Sequence, residues 1–379
     1  MDTLPPASRV RALRRRLLDH YDSHRRDLPW RRERDPYRIW VSEVILQQTR
    51  VETAIPFYRR WVKRFPTLEA LAGSDREEVM AAWSGLGYYR RARHLHEAAR
   101  IVRDRRGGEL PPEARDLRAL PGVGPYTAGA VASIAFGRRE PAVDGNARRV
   151  LSRLFDLRLP SAAELHRLAH ALVSPDRPGD FNQALMELGA TLCRPRAPKC
   201  AECPVETLCL AQRRGTVGRR PGPRRPEEIP VFAVGTAVLP SRDGRVLLAR
   251  RPEEGLLGGT WEFPGALAGK RESPAGAARR AARSWLGRDP AASSSGASWA
   301  VVPHAFSHRR HIYHVFRFPS VEEADVDLRR ATRPAAGTGR DGIPAWTGAA
   351  WVKPGAVGRR ALAAVQRSIL RSLLAEEGP

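Results

Sequence analysis

The sequence predicts two domains of different class: a mostly α-helical domain over residues 1–212 and a smaller α+β domain over residues 230–379, joined by a basic linker at 213–229. Three observations carry this. Apolar residues recur at helical spacing through the first half, short segments of strand character replace them after Pro230, and a proline- and arginine-rich stretch marks the change. A chain of 379 residues has room for two hydrophobic cores.

In the first domain the helical period shows in Val41, Val44 and Ile45, in Leu68, Leu71 and Ala72, in Val131, Ile134 and Ala135, and in Leu185, Leu188 and Leu192. Asp35-Pro36, Gly107-Gly108, Pro111-Pro112 and Pro175 break the pattern into separate helices. The linker holds Arg213, Arg214, Arg219, Arg220, Arg224 and Arg225, with no acid before Glu227. Such a stretch reads as a solvated tether, or as one that runs along a phosphate backbone. In the second domain Val231–Leu239 and Arg245–Arg250 read as strands bridged by a hairpin-like Ser241-Arg242-Asp243-Gly244. Ile312–Phe318 alternates as a strand does, and Ala361–Leu374 reads as a closing helix. Ala291–Ser298 and Ala331–Gly342 read as loose loops, and no internal repeat is visible.

The chain carries 65 Lys+Arg against 41 Asp+Glu, a formal net charge of +24. The excess is mostly arginine, which makes bidentate contacts with phosphate, so a polyanionic partner is expected. A Gly/Ala/Arg-rich proteome from a GC-rich genome would raise the same count. No run of 18 apolar residues exists, which predicts no membrane-spanning helix. The N-terminus holds Arg9, Arg11, Arg14, Arg15 and Arg16 but no apolar segment of the secretory kind.

Four cysteines, Cys193, Cys200, Cys203 and Cys209, fall within 17 residues as C-x6-C-x2-C-x5-C, and no other cysteine occurs. Four thiolates this close can wrap one tetrahedral zinc or one [4Fe–4S] cluster. The spacing leaves both open, with two disulfides as the plainer alternative.

Leu120-Pro121-Gly122-Val123-Gly124-Pro125-Tyr126-Thr127-Ala128 places two glycines ahead of a helix. Glycine admits positive φ, and the free N–H groups of a helix N-terminus form an anion site, so the run reads as a helix–hairpin–helix grip on a DNA phosphate; a plain helix–turn is the alternative. Val143-Asp144-Gly145-Asn146 follows one helix-length later. Glu43, in Trp40-Val41-Ser42-Glu43-Val44-Ile45-Leu46-Gln47-Gln48-Thr49, shares a helix face with Gln47 among apolar neighbours. Such surroundings raise a carboxyl pKa, as a general acid requires; a solvated polar stripe is the competing reading. Asp144 fits a catalytic carboxylate or an ordinary Asx cap.

Together these segments closely resemble the MutY-type adenine DNA glycosylases. The resemblance rests on Val41–Thr49, Leu120–Ala128, Val143–Asn146 and the cysteine spacing, and extends to Trp83-Ser84-Gly85-Leu86-Gly87-Tyr88-Tyr89 and Phe181-Asn182-Gln183-Ala184-Leu185-Met186-Glu187-Leu188-Gly189. It is dense over residues 20–212 and thinner to about residue 355. It implies a helix–hairpin–helix glycosylase domain whose four cysteines hold a [4Fe–4S] cluster, in a basic loop with Arg194, Arg196 and Lys199 facing DNA. The related endonuclease III-type enzymes carry a lysine where this chain has Tyr126; a tyrosine forms no imine, which implies base excision without an efficient lyase step.

The resemblance further implies that the target adenine is flipped from the duplex, that Glu43 protonates its N7, and that Asp144 as a carboxylate offsets the positive charge on the sugar, through a transient covalent adduct. Tyr126 and Asn146 would hydrogen-bond around these groups. Trp30, Arg31, Leu46 and Glu187 match adenine-pocket positions. Gly122 and Gly124 would grip the backbone, Gln48 and Thr49 would contact the opposite strand, Leu86 would be a substrate-binding position, and Tyr88 would enter the duplex as a wedge.

In the second domain, Gly258-Gly259-Thr260-Trp261-Glu262-Phe263-Pro264-Gly265 resembles the opening of a Nudix fold. Arg280-Ala281-Ala282-Arg283-Ser284-Trp285 replaces the metal-binding R-E-x-x-E-E pattern, which excludes pyrophosphate hydrolysis. By resemblance this domain recognises 8-oxoguanine, with Ser307 and His308 of Phe306-Ser307-His308 as the reading residues. The implied protein is a monofunctional adenine glycosylase of base-excision repair, monomeric, acting on double-stranded DNA with A:8-oxoguanine or A:G mispairs in the bacterial cytoplasm, nucleoid-associated through DNA. A thymine or uracil mismatch glycosylase and a non-catalytic DNA-binding paralogue are the alternatives.

Overall fold

A computed structural model describes residues 5–223, 228–290, 297–306, 308–328, 344 and 346–376. Helices α1 (Ala7–His24), α2 (Pro36–Leu46), α3 (Val51–Arg64), α4 (Leu68–Gly73), α5 (Arg76–Ala82), α6 (Arg90–Arg106), α7 (Ala114–Leu117), α8 (Pro125–Phe136), α9 (Gly145–Leu154), α10 (Ala162–Leu172), α11 (Pro178–Thr191) and α12 (Leu210–Arg213) precede seven strands and two further helices. The chain forms two compact units. The first comprises Met1–Gly73 and His94–Pro226, the second Ser74–Arg93 and Glu227–Pro379. The reading of the sequence puts residues 74–93 in the helical domain; they group instead with the C-terminal unit.

The first unit is built on amphipathic stripes. Leu13, Leu17 and Tyr21, one helical turn apart on α1, bury against Val150, Leu151 and Leu154 of α9 and Phe181, Leu185 and Leu188 of α11. Arg14 points its guanidinium at the carbonyls of Ala171, Leu172 and Val173 at 3.0, 2.8 and 3.0 Å, satisfying acceptors that the end of α10 leaves unpaired. Asp35-Pro36, a break in the apolar pattern, is a helix start: Pro36 is the first residue of α2 and the Asp35 side chain accepts from the Tyr37 N–H. Helix α2 is buried on nearly all sides, from Tyr37 through Ile45, so Glu43 lies on no solvated stripe.

Helix α8 is also buried all round, and the segment leading to Asp144 packs directly on it. A side chain at Gly129 would meet the Pro141 carbonyl oxygen at 2.0 Å. Asn182 of α11, 1 % exposed, pins the same segment by donating to the Glu140 carbonyl and accepting from the Ala142 N–H. Gly189 of α11 touches Asn146, where a Cβ would stand 2.6 Å from that of Asn146.

The second unit contains β1 (Val231–Val238), β2 (Val246–Arg250), β3 (Trp261–Glu262), β4 (Gly265–Leu267), α13 (Pro274–Leu286), β5 (Ala300–Ala305), β6 (Arg310–Arg317), β7 (Gly348–Val352) and α14 (Ala364–Glu376). One sheet runs β4-β1-β6-β5, with β1 and β6 parallel; the other runs β3-β2-β7. Helix α13 lies on β1, where a side chain at Gly235 would strike the Pro274 carbonyl at 2.1 Å. The turn at 241–244 forms with Gly244 at φ 78°, but the two segments it joins are not a two-stranded hairpin. After one bridge between Pro240 and Val246 they enter different sheets, because each is buried and finds its main partners elsewhere. Helix α13 carries no acidic residue. Residues 291–296, 331–340 and Ser307 lie outside the described residues. Among the described residues, no helix is long and apolar enough to cross a membrane.

Candidate active site

Helices α2, α8, α9 and α11 bring together Glu43, Tyr126, Asp144, Asn146 and Glu187, residues far apart in sequence. The Tyr126 hydroxyl donates to Glu43 Oε2 at 2.6 Å and also lies 3.4 Å from Met186 Sδ. Glu43 is 5 % exposed. Burial pushes its carboxyl up to about 7, with the nearby Asp144 charge adding to the rise and the Tyr126 hydrogen bond opposing it. A carboxyl raised this far keeps a share of its proton at neutral pH, the poise a general acid needs.

Asp144 is the N-cap of α9, as an Asx cap predicts, and this does not compete with chemistry. One carboxylate oxygen accepts from the Ala147 N–H at 2.7 Å, the other from Asn146 Nδ2 at 3.0 Å. Burial raises its pKa, and these hydrogen bonds together with the Arg149 charge pull it back. Donors and a helix N-terminus support the Asp144 charge, whereas Glu43 has one neutral hydroxyl. The two neighbouring carboxyl groups thus sit in different electrostatic surroundings.

Glu187 supplies the contrast. It is also 5 % exposed, and burial pushes its pKa up, yet the guanidinium hydrogen bonds of Arg26 and Arg31 overcome this and hold it down at about 2. Arg26 grips both oxygens at 2.7 and 2.9 Å, and Arg31 adds a third contact at 2.7 Å. Glu187 is therefore a fixed anion and no proton donor. Trp30 is buried beside Tyr58, ring centroids 5.5 Å apart in a T-shape, and Arg31 lies over the Tyr21 ring. Leu46 is half-buried at the end of α2.

We expect Glu187→Gln to lower the free energy of unfolding by about 3 kcal/mol at neutral pH, since it leaves a buried guanidinium without its charge partner. The wild-type advantage is present above the ordinary glutamate range and is lost as pH falls from there toward about 2. Urea titrations of both proteins should therefore converge in acid and diverge at pH 7.

Arg26 and Arg149 were not singled out in the sequence. Arg149 links two features of the site: its Nη2 donates to Asn146 Oδ1 and the Gly189 carbonyl, both at 2.8 Å, and its Nε donates to the Cys193 carbonyl at 2.7 Å. Its place three residues after Asn146, on the same helix face, was the available signal. At the glycine loop, Gly122 has φ 75° and faces His94, where a Cβ would clash at 2.6 Å. Gly124 differs from expectation, with an ordinary extended backbone as the N-cap of α8 and open space where a Cβ would stand. Gln48 is exposed with φ 57°, and Thr49 follows it half-buried. Leu86 and Tyr88 belong to the second unit, as does exposed His308. Ser307 lies outside the described residues.

Residues 41–175 match the family model of the HhH-GPD superfamily of base excision DNA repair proteins, and residues 235–372 match the NUDIX domain. The adenine DNA glycosylase of Rattus norvegicus is 43 % identical over 311 residues, 67 % of this chain and 60 % of the rat protein. That of Mus musculus is 40 % identical over 364 residues, 81 % of this chain and 70 % of the mouse protein. The chain belongs to the adenine DNA glycosylase family. It is a DNA glycosylase with a helical catalytic region and a Nudix-like C-terminal unit. A solved thermostable thymine-DNA glycosylase is 32 % identical with a TM-score of 0.52, covering 55 % of this glycosylase and 98 % of its own chain.

The four cysteines of the glycosylase lie unbridged, with no disulfide among them. Two short 3-10 turns, Cys200–Glu202 and Glu206–Leu208, fold their loop. Among the described residues no three or more His, Cys, Asp or Glu are gathered as one metal ion requires. The thiols nevertheless sense one another: burial raises Cys200, Cys203 and Cys209, and the Cys193 charge raises each further, Cys203 to about 12. Such a set resists ionisation until a cation is bound, and the soft donors suit iron or zinc. Arg153, 3 % exposed, donates to Cys193 Sγ at 3.3 Å and to the carbonyls of Arg194 and Pro195, so a positive group already faces the thiols.

Proposed function

We propose that this glycosylase hydrolyses the N-glycosidic bond of adenine mispaired with 8-oxoguanine or guanine, without a lyase step. The observation that carries the reading is the pairing of Glu43, poised near neutrality by burial, with Asp144, an N-cap carboxylate held by backbone and amide donors. With adenine flipped into the pocket, Glu43 passes its proton to N7 as the C1′–N9 bond breaks, and the bonding electrons leave with the base. The sugar becomes an oxocarbenium ion beside the Asp144 carboxylate, which stabilises it electrostatically or as a transient ester. Water then adds at C1′, and its proton returns to the Glu43 carboxylate. Tyr126 orients Glu43 and offers no amine for an imine. Glu187, with Arg26 and Arg31, forms a fixed polar wall of the pocket.

We further assign Cys193, Cys200, Cys203 and Cys209 to one [4Fe–4S] cluster, which would order the basic 194–199 loop for DNA. Purified protein is expected to be brown with about four irons per chain; one zinc and no iron would overturn this assignment. Cys200→Ser is expected to reduce yield or DNA affinity more than the rate per bound duplex. The protein acts as a monomer on duplex DNA, in the cytoplasm.

The test is excision from duplexes containing A:8-oxoguanine, A:G, T:G or U:G, read as strand breaks after alkali. Cutting at adenine alone, and only after alkali, is the expected result. Cutting at T:G or U:G would favour the second reading, to which the likeness to a thymine-DNA glycosylase points.

A further inference from the structure

The segment 74–93, far from the rest of the C-terminal unit in sequence, packs within it through ion pairs of Arg76, Glu77 and Arg93 and through one unusual acceptor. The Leu362 carbonyl takes hydrogen bonds from Ser84 Oγ at 3.0 Å, the Tyr89 hydroxyl at 2.5 Å and Arg367 Nε at 3.4 Å. Arg367 also donates to Ser84 Oγ and lies against Gly85, where a Cβ would stand 3.2 Å from its Nη2. Leu362 is itself fixed, 1 % exposed and bridged to Trp261 of β3. What these contacts hold is a turn with three positive-φ residues in four: Gly85 at 103°, Gly87 at 73° and Tyr88 at 49°. A tyrosine in that region is strained and persists only where its surroundings impose it. Trp83 and Arg91 complete the frame by donating to the Gly87 carbonyl, and the Arg91 guanidinium lies 5.6 Å from the Tyr88 ring centre. The ring is left 45 % exposed, an aromatic plate held out on a rigid base.

We propose that Leu362, through its carbonyl, and Arg367 are positioning residues that hold Tyr88 ready to insert between bases, so that the C-terminal unit sets the wedge as well as contacting the opposite base. This rests on the reading of Tyr88 as the wedge. The two residues act through the turn and touch no substrate.

The experiment uses full-length protein and a duplex with 2′-fluoro-adenine, which resists cleavage, opposite 8-oxoguanine, with 2-aminopurine beside the mispair as a stacking probe. Arg367→Met and Tyr89→Phe are each expected to weaken binding about fivefold, the size of coupling that contacting residues show, and to diminish the 2-aminopurine fluorescence change. Arg367→Lys should restore much of both. In a Tyr88→Ala background Arg367→Met should have no further effect, because the wedge it positions is gone. Additive losses in the double variant overturn the proposal, as do unchanged binding and stacking in both brace variants while Tyr88→Ala weakens binding. If Tyr88→Ala itself binds normally, the wedge reading falls first and the proposal with it. Should Arg367→Met melt early, Tyr89→Phe carries the test, since it removes one hydroxyl and keeps the packing.

Discussion

Glu43→Gln is expected to abolish adenine excision, by at least about a thousandfold, while leaving affinity for the mismatched duplex nearly intact. The amide keeps the shape of the side chain and can still accept from Tyr126, but has no proton to give. Single-turnover excision and gel-shift titration on the same duplex separate the two effects; near-wild-type excision would remove Glu43 from the mechanism. Wild-type activity at low substrate should fall tenfold per unit above about pH 7, as the acid ionises, and should also fall in acid, where Asp144 takes up its proton. A second consequence concerns stability. Since the folded-state pKa lies above that of an ordinary glutamate, folding holds this proton more tightly than the unfolded chain does, and stability falls as pH rises from the ordinary range to about 7. Glu43→Gln removes that burden and should melt above wild type at pH 8, a gain in stability set against the lost chemistry.

Asp144→Asn is expected to be comparably inactive, with the fold retained. Asparagine is as good an N-cap as aspartate, so α9 keeps its start while the negative charge disappears. The loss, about a thousandfold in the rate of the bound complex, then reports charge stabilisation of the sugar cation alone. Asp144→Ala would lose the cap as well, and its melting point should drop where that of Asp144→Asn does not. The neighbour responds too: the Asp144 charge helps raise Glu43, so residual activity in Asp144→Asn should begin to fall at lower pH than in wild type. An unchanged pH profile would show that the carboxyl groups do not sense one another.

How much of this was legible beforehand depended on whether a cause was local. The helix–hairpin–helix loop, the cap at Asp144 and the cysteine loop are short-range patterns, and each marks a feature of the structure. Glu43 could be placed among apolar residues of its own helix, but its near-total burial comes from neighbouring helices. Period alone therefore left a solvated stripe open. Arg26 was out of reach because it meets Glu187 across 161 positions, and no spacing rule couples residues so distant. In the second unit β3 and β4 are two and three residues long, too short to show alternation. The fate of residues 74–93 was hidden as well: α5 looks like any other helix of the first half, and the residues that tie this segment to the C-terminal unit, among them Glu253, Trp261, Arg360, Leu362 and Arg367, are encoded far along the chain.

That discontinuous second unit bears on how the protein is made. Residues 74–93 emerge from the ribosome long before the strands they join, so the second unit cannot close until β1 through α14 have followed. Closing it brings together segments separated by most of α6 and all of α7 to α12, and non-local contacts of this kind slow folding by their loop-closure entropy. Helices α8, α9 and α11 and the cysteine loop all lie within the interval and can assemble meanwhile. The order of synthesis thus favours a catalytic core that is complete while the turn bearing Tyr88 still waits for its support. A chain stalled or cut in the linker would carry its acid, its carboxylate and its cysteines but leave that turn without the Leu362 carbonyl and Arg367 that hold it.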